Sequence, residues 1–170
     1  MTVLTKEKAS ISVDALEKIS NTDLADLCYN AEQAIKAGGG FGWITVPPRD
    51  VLKKYWNSMV LTKTNTLIVG RLNGDIAGSM QLSFYPPNNE AQKNISSIQS
   101  HFVAPWARGY GLAKAMIDYS ILKSKENNKV SIQLDIRETQ TAAIQLFESK
   151  GFIKWGENPK YAFINGNPIK

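Results

Sequence analysis

The sequence predicts a single α+β domain, and three observations predict it. The chain has 170 residues, inside the ~100–200 that one domain commonly spans. Hydrophobic residues make up 43% and charged residues 21%, an ordinary globular balance that excludes disordered and low-complexity classes. Strand-like runs, among them a tight-hairpin signal, are interspersed with helical periodicities, and no internal repeat or linker breaks the chain. Residues 1–170 therefore read as one domain.

The elements follow in order. Residues 11–16 read as a first strand. Leu24, Leu27, Cys28, Ala31 and Ile35 then recur at helical spacing behind the capping residues Ser20-Asn21-Thr22, and Gly38-Gly39-Gly40 release the chain. Pro47-Pro48 open a second helix, because proline fits a first turn, and Leu52, Tyr55, Trp56 and Met59 form its apolar stripe. Residues 66–70 and 76–84 are strand-like and joined by Asn73-Gly74, so they should pair antiparallel. Pro86-Pro87-Asn88-Asn89 stop that hairpin, and residues 95–104 form a further extended run before Pro105. Leu112, Ala115, Met116, Tyr119 and Leu122 trace a third helix; residues 130–136 alternate as a strand; residues 143–150 make a short helix ended by Gly151. Residues 161–164 are the last strand-like run.

Twenty Lys plus Arg against fifteen Asp plus Glu leave a net charge of +5 and a pI near 9.3, which favours anionic partners, a phosphate-bearing cofactor among them. The basic residues are scattered rather than blocked, so no nucleic-acid partner is expected. No apolar run approaches the ~18 residues of a membrane span, and Lys6, Glu7 and Lys8 fall where a signal peptide needs its apolar region. No membrane partner and a cytoplasmic location are expected, and the single Cys28, on the first helix's apolar face, agrees with a reducing compartment. No metal site is expected.

The most informative stretch is Val103-Ala-Pro-Trp-Ala-Arg108-Gly109-Tyr-Gly111-Leu-Ala113, which runs from a strand end through a glycine loop into a helix start. Glycines let the backbone approach a ligand, the unpaired amides of a helix N-terminus attract phosphate oxygens, and Arg108 adds a donor fork. A plain strand-to-helix turn would use the same glycines. A dinucleotide-binding fingerprint fits less well, because its third glycine would fall at Lys114.

Here the sequence resembles the GNAT acyltransferases, which use acyl-coenzyme A. Their cofactor motif is Arg or Gln, two residues, Gly, one residue, then Gly or Ala, and Arg108-Gly-Tyr-Gly111-Leu-Ala113 matches it. A second signature of the family resembles Leu134-Asp-Ile-Arg-Glu-Thr-Gln-Thr-Ala-Ala143-Ile-Gln-Leu146-Phe-Glu-Ser-Lys-Gly151-Phe152. A narrower likeness, to tabtoxin-resistance-type GNAT proteins, rests on Gly38-Gly-Gly-Phe-Gly42-Trp43, Tyr55-Trp56, Gln81-Leu82, Leu134-Asp135 and Asn158-Pro-Lys-Tyr161-Ala162.

The resemblance implies a mostly antiparallel twisted sheet with helices on both faces. It also implies an enzyme that moves an acetyl group from acetyl-coenzyme A to an amine or hydroxyl of a small molecule, directly, in a ternary complex. Two other readings stay open: a non-catalytic module that binds coenzyme A or acyl-coenzyme A, and a protein or peptide N-acetyltransferase. By the same likeness, backbone groups of Phe102, Val103 and Ala104 line the pantetheine and thioester. The pyrophosphate sits on Arg108, Gly109, Tyr110, Gly111, Leu112 and Ala113, and Gln140, Ala143 and Phe147 flank the cofactor arm. The family often has Asn where this chain has Gln140 and Tyr where it has Phe147, and Phe147 cannot donate a proton. Members usually continue into a final strand beyond the last run seen here. An open sheet edge near residues 160–170 would follow, and with it a possible homodimer.

Three residues are candidates for the catalytic base. Asp135 is first, since alternation buries Leu134 and Ile136 and turns Asp135 to the opposite side. His101, the one histidine, has an unperturbed pKa suited to accepting a proton near neutrality and shares strand parity with Gln99 and Val103. Glu138, a loop acid, is a weaker base candidate that also falls among substrate contacts. Tyr161 is the alternative proton donor that the likeness offers. Phe41, Trp43, Trp56, Phe84 and Tyr85 are the aromatics available to wall the acceptor pocket; Trp43, in the loop after the glycines, is the first candidate among them, while Trp56 on the helix stripe belongs to the core.

Overall fold

Asn73 and Gly74 take φ of 53° and 97°, the left-handed pair that a two-residue hairpin turn requires. The flanking strands, β2 (Asn65–Leu72) and β3 (Asp75–Phe84), pair antiparallel. They form the middle of a five-stranded sheet ordered β1-β2-β3-β4-β5, with β1 (Ile11–Leu16), β4 (Ile95–Val103) and β5 (Ser131–Gln133). Only β4 and β5 run parallel. This computed structural model describes residues 9–39 and 41–170; the charged segment 1–8 and Gly40 lie outside the described residues.

Helices cover both faces. Ser20 caps α1 (Asn21–Lys36) by accepting from the Asp23 amide at 3.1 Å, and Pro48 precedes α2 (Arg49–Leu61). Leu27, Leu52 and Trp56 of these helices pack on Leu67, Val69 and Ile76. On the other face Met116 and Ile117 of α3 (Leu112–Glu126) and Phe147 of α4 (Thr141–Ser149) pack on Ile68, Met80 and Leu82. Successive residues of β2 thus enter opposite cores, which is why that strand reads as continuously apolar.

β4 is not the regular strand that alternation predicts. Ser79 pairs with Phe102 but Gln81 with Gln99, so β4 carries one residue more than β3 across that step. Ser100 takes φ of 49° there, the mark of a β-bulge. Ile98 and Phe102, which unbroken alternation puts on one face, lie in opposite cores as a result. The parity expected among Gln99, His101 and Val103 fails at the same point.

Two further readings are corrected. β5 spans three residues rather than 130–136, because β4 and β5 pair only from Ile95 opposite Ser131 to Ser97 opposite Gln133. Beyond that step the two chains part. The chain also makes a final strand: β6 (Ala162–Ile164) pairs with β7 (Asn167–Ile169) in a separate two-stranded sheet. A second left-handed pair, Asn165 and Gly166 at φ of 51° and 79°, turns it. The edge expected to stand open beside residues 161–164 is therefore taken by β7.

Candidate active site

Where β4 and β5 part, the sheet opens over a cavity of about 640 Å³. Residues 97–101 of β4 and 134–137 beyond β5 form its walls, and Gln140 with Ala143 and Phe147 of α4 its floor. Phe41, Gly42 and Ile44 close one side and residues 161–164 another. Alternation across an antiparallel pair decides what β4 shows to this opening. The Ala104 amide donates to the Ala77 carbonyl at 2.8 Å, so by two-residue alternation Phe102, opposite Ser79, also turns its backbone to β3. This corrects two of three expectations: Phe102 and Ala104 turn their backbone groups to β3, and β4 lines the cavity with residues 97–101 rather than 102–104. By the same alternation the backbone of Val103 and of His101 faces away from β3.

The glycine turn lies past the end of β4. Gly109 and Gly111 take φ of 85° and 83°, and a Cβ built on either meets nothing within 4 Å. Gly111 stands at the N-cap of α3 with no side chain capping it, and the helix's first backbone bond runs from the Ala115 amide to the Gly111 carbonyl at 3.0 Å. The amides of Leu112, Ala113 and Lys114 precede that bond and have no intrahelical acceptor. Open space, uncapped amides and an exposed Arg108 beside them fit a pyrophosphate. The turn is held from behind: Trp106 Nε1 donates to Asn30 Oδ1 at 2.7 Å, and Asn30 Nδ2 donates to the Ile76 carbonyl at 2.7 Å. Leu112 itself is buried in the core, so only its backbone faces outward.

Asp135 and Tyr161 share the cavity. Both line it, and the Tyr161 hydroxyl is pushed up from its ordinary pKa by burial first, then by the Asp135 charge, with Arg137 acting the other way. Tyr161 is thus a phenol at neutral pH and a hydrogen-bond donor. Leu134 and Ile136 turn into the core while Asp135 stays exposed, as alternation predicts.

His101 does not fit the role of a base that titrates near neutrality. Its Nε2 is shut away from water with no hydrogen-bond partner, its ring meets Phe147 edge-on at 5.6 Å, and burial pushes its pKa down to about 4. It is a neutral wall of the cavity. Glu138 lies outside the lining; its amide donates to the Lys170 carbonyl at 2.8 Å and its carboxylate accepts from the Lys170 amide at 3.1 Å, which fastens the end of β7. Phe84 sits under the Lys129 ammonium at 5.2 Å, away from the cavity. Trp43 packs on Tyr55 at 4.9 Å and on Phe41 at 6.0 Å; of the expected aromatics Phe41 is in the wall, with Gly42 and Ile44, while Trp43, Phe84 and Tyr85 are not in the lining. Trp56 is fully buried core. Gln140 precedes α4 and Ala143 lies in its first turn, both at the cavity, while Phe147 is buried between His101 and Phe152.

Sequence reasoning missed Ser97, Gln99, Ser100 and Arg137 in the lining, and it missed Tyr55 and Gln81 behind Ser100. Gln81 Nε2 donates to the Tyr55 hydroxyl at 2.7 Å, and that hydroxyl donates to Ser100 Oγ at 3.1 Å. Burial pushes the Tyr55 hydroxyl pKa up. A buried Gln facing the helical stripe was the available signal, since a buried amide requires a partner.

A glycine turn with uncapped helix amides, at one end of a sheet split over a cavity, fits the frame of an acyl-coenzyme A-dependent transferase. The chain belongs to the acetyltransferase (GNAT) family, whose model matches residues 28–152. It is similar to an uncharacterized N-acetyltransferase from the hisH–hisA intergenic region of Azospirillum brasilense, with 41% identity over 130 residues, 76% of this chain and 77% of that one. Its fold is similar to an N-acetyltransferase from Staphylococcus aureus Mu50 at a TM-score of 0.78 and 17% identity, covering 94% and 93% of the two chains. It also matches yncA from Salmonella typhimurium, solved with its cofactor acetyl-CoA, at a TM-score of 0.74 and 16% identity over 94% and 88%. The protein is an N-acetyltransferase, and acetyl transfer from acetyl-coenzyme A is typical of its family. Among the described residues no helix is long and apolar enough to cross a membrane.

Proposed function

We propose that this protein acetylates the amine of a small molecule, with Asp135 as the general base and Tyr161 as the hydrogen-bond donor opposite it. The observation that carries the reading is that Asp135 and Tyr161 line the same cavity where the sheet splits, near enough that, after burial, the Asp135 charge raises the Tyr161 pKa further. Bound acetyl-coenzyme A supplies an activated acyl carbon and a thiolate leaving group. The turn at residues 108–113 holds its pyrophosphate, and the backbone of Val103 and His101 offers the arm a strand edge. Asp135 draws the acceptor's ammonium, which gives one proton to solvent to become the attacking neutral amine; Asp135 then takes the second proton, released as the C–N bond forms, while the C–S bond breaks and the sulfur leaves as thiolate. Tyr161 donates to the departing sulfur. Its raised pKa lies above the ~8.5 of a free thiol, so Tyr161 stabilises a thiolate by hydrogen bonding more than it protonates it. A cavity of about 640 Å³ is of the size that holds a drug-sized molecule, which favours a small acceptor. The likeness to tabtoxin-resistance proteins supports the same acceptor class, and the single buried Cys28 supports a reducing, cytoplasmic setting.

The test is steady-state kinetics on an amine panel with calorimetry of coenzyme A alongside. Asp135→Asn should lower kcat by ~10²–10⁴-fold, the range of a lost general base, and leave coenzyme A affinity within twofold. Tyr161→Phe should lower it by at least ~10-fold. Wild-type turnover in Asp135→Asn would refute the assignment.

A further inference from the structure

Ser100 presents an unusual combination. It is a non-glycine residue at φ of 49°, a conformation that surrounding structure must hold in place. It lines the cavity at the bulge, three residues beyond Ser97, where the pairing of β4 with β5 ends. Its Oγ is also the end of a hydrogen-bond chain whose direction the chemistry fixes. An amide nitrogen only donates, so Gln81 Nε2 gives a hydrogen to the Tyr55 hydroxyl at 2.7 Å. The Tyr55 hydroxyl gives its own to Ser100 Oγ at 3.1 Å. Ser100 accepts, and its own hydrogen is left to donate elsewhere. Among the described residues no other hydrogen bond is made by that hydroxyl.

The rest of the chain exists to hold this geometry. Gln81 is 4% exposed, one of the few polar side chains buried among the described residues, and its amide is spent on a phenol rather than on the sheet. The Tyr55 ring is clamped edge-on by Trp43 and Trp56, each at 4.9 Å. A donor fixed in this way suits an acceptor oxygen. It does not suit the attacking amine, whose lone pair must stay free for the acyl carbon.

We propose that the Ser100 hydroxyl, oriented by Tyr55 and Gln81, donates a hydrogen bond to the carbonyl oxygen of the acyl group, where negative charge gathers during transfer. This rests on the acetyl-coenzyme A reading above. Ser100 is then a catalytic residue, and Tyr55 and Gln81 are positioning residues that act through it. Donors placed in advance where charge develops are the effective ones, because they need no reorganisation at the moment of reaction.

The test compares two ligands in calorimetry: acetyl-coenzyme A, and S-ethyl-coenzyme A, a thioether of similar shape that lacks the carbonyl. It adds the infrared carbonyl stretch of bound ¹³C-acetyl-coenzyme A. Ser100→Gly removes the hydroxyl and accepts φ of 49° without strain, so it keeps the fold; Ser100→Ala is run beside it. In both variants the preference for acetyl- over S-ethyl-coenzyme A should fall by ~3–10-fold, the worth of one hydrogen bond. S-ethyl-coenzyme A affinity should not change, and the stretch should move toward its value in free ligand. Tyr55→Phe should shift the stretch less, in the same direction, and not at all in the Ser100→Gly background. An unchanged preference and stretch overturns the proposal, as does equal weakening of both ligands. Wild-type protein that binds neither ligand overturns the acetyl-coenzyme A reading itself, a result distinct from either.

Discussion

Gly111→Asp tests the pyrophosphate site most directly, and the structure sets the size of the effect. In the folded protein a side chain at this position has room, since a Cβ meets nothing within 4 Å, but it must live at φ of 83°. That conformation costs an L-residue ~1–2 kcal/mol, less for Asp and Asn, and a carboxylate at a helix N-terminus returns ~0.3–1 kcal/mol. The variant should fold. Bound coenzyme A brings two phosphoryl charges to the amides of residues 112–114. In water-like dielectric a charge ~5 Å away costs ~0.8 kcal/mol per phosphoryl charge, or ~1.7 kcal/mol for both. The predicted loss is therefore ~15–20-fold in affinity. Gly111→Asn has the same shape and backbone strain without the charge. Calorimetry at two salt concentrations should show Asp weaker than Asn by that factor at low salt and by less at high salt. Equal affinities in the two folded variants would refute the placement of the pyrophosphate.

Two predictions concern the frame around the site. A Cβ on Gly78 would lie 2.7 Å from the Phe102 carbonyl oxygen and 3.3 Å from Val103 Cα, so Gly78→Ala must push β3 from β4 beside the opening. We expect a loss of ~2–3 kcal/mol and a Tm lower by ~5–10 °C, and an unchanged melt would show that the strands yield freely. The Asp23 carboxyl is held below the usual carboxylate range chiefly by its hydrogen bond to Arg71, at 2.8 Å. Its folded pKa is below its unfolded one, so its stabilisation is present above pH ~4 and fades as pH falls through the folded value. Asp23→Asn should lower Tm by ~3–6 °C at pH 7 and by little near pH 2, and a constant difference across that range would refute the linkage.

What the sequence disclosed and what it withheld divide along physical lines. Asn73-Gly74 predicts its hairpin because a left-handed pair is a local demand that few other residues meet. Asn165-Gly166 makes the same demand, but its flanking strands are three residues long and offer no alternation to notice. The turn around Arg108 and Gly111 was legible for the same local reason, and Asp135 was legible because Leu134 and Ile136 bracket it. Ser100 was not, since Ser and His carry no bulge signature and the extra residue is imposed by pairing with β3. His101 illustrates the other limit: its residue type suggests a neutral-pH base, and only its surroundings, Phe147 above all, remove that role. Trp43 and Phe84 were misplaced because aromatic character marks burial without saying which cavity, if any, lies beside it.

The parting of β4 from β5 beyond Ser97 leaves unpaired backbone inside a sheet rather than at its rim. At a rim, such groups recruit other strands and invite aggregation. Here they lie in a cavity with α4 on one side and Phe41, Gly42 and Ile44 on the other. On the proposed reading the amide-bearing arm of the cofactor takes the place that a further strand would fill, so the recognition chemistry of an exposed strand is turned from protein partners to a ligand.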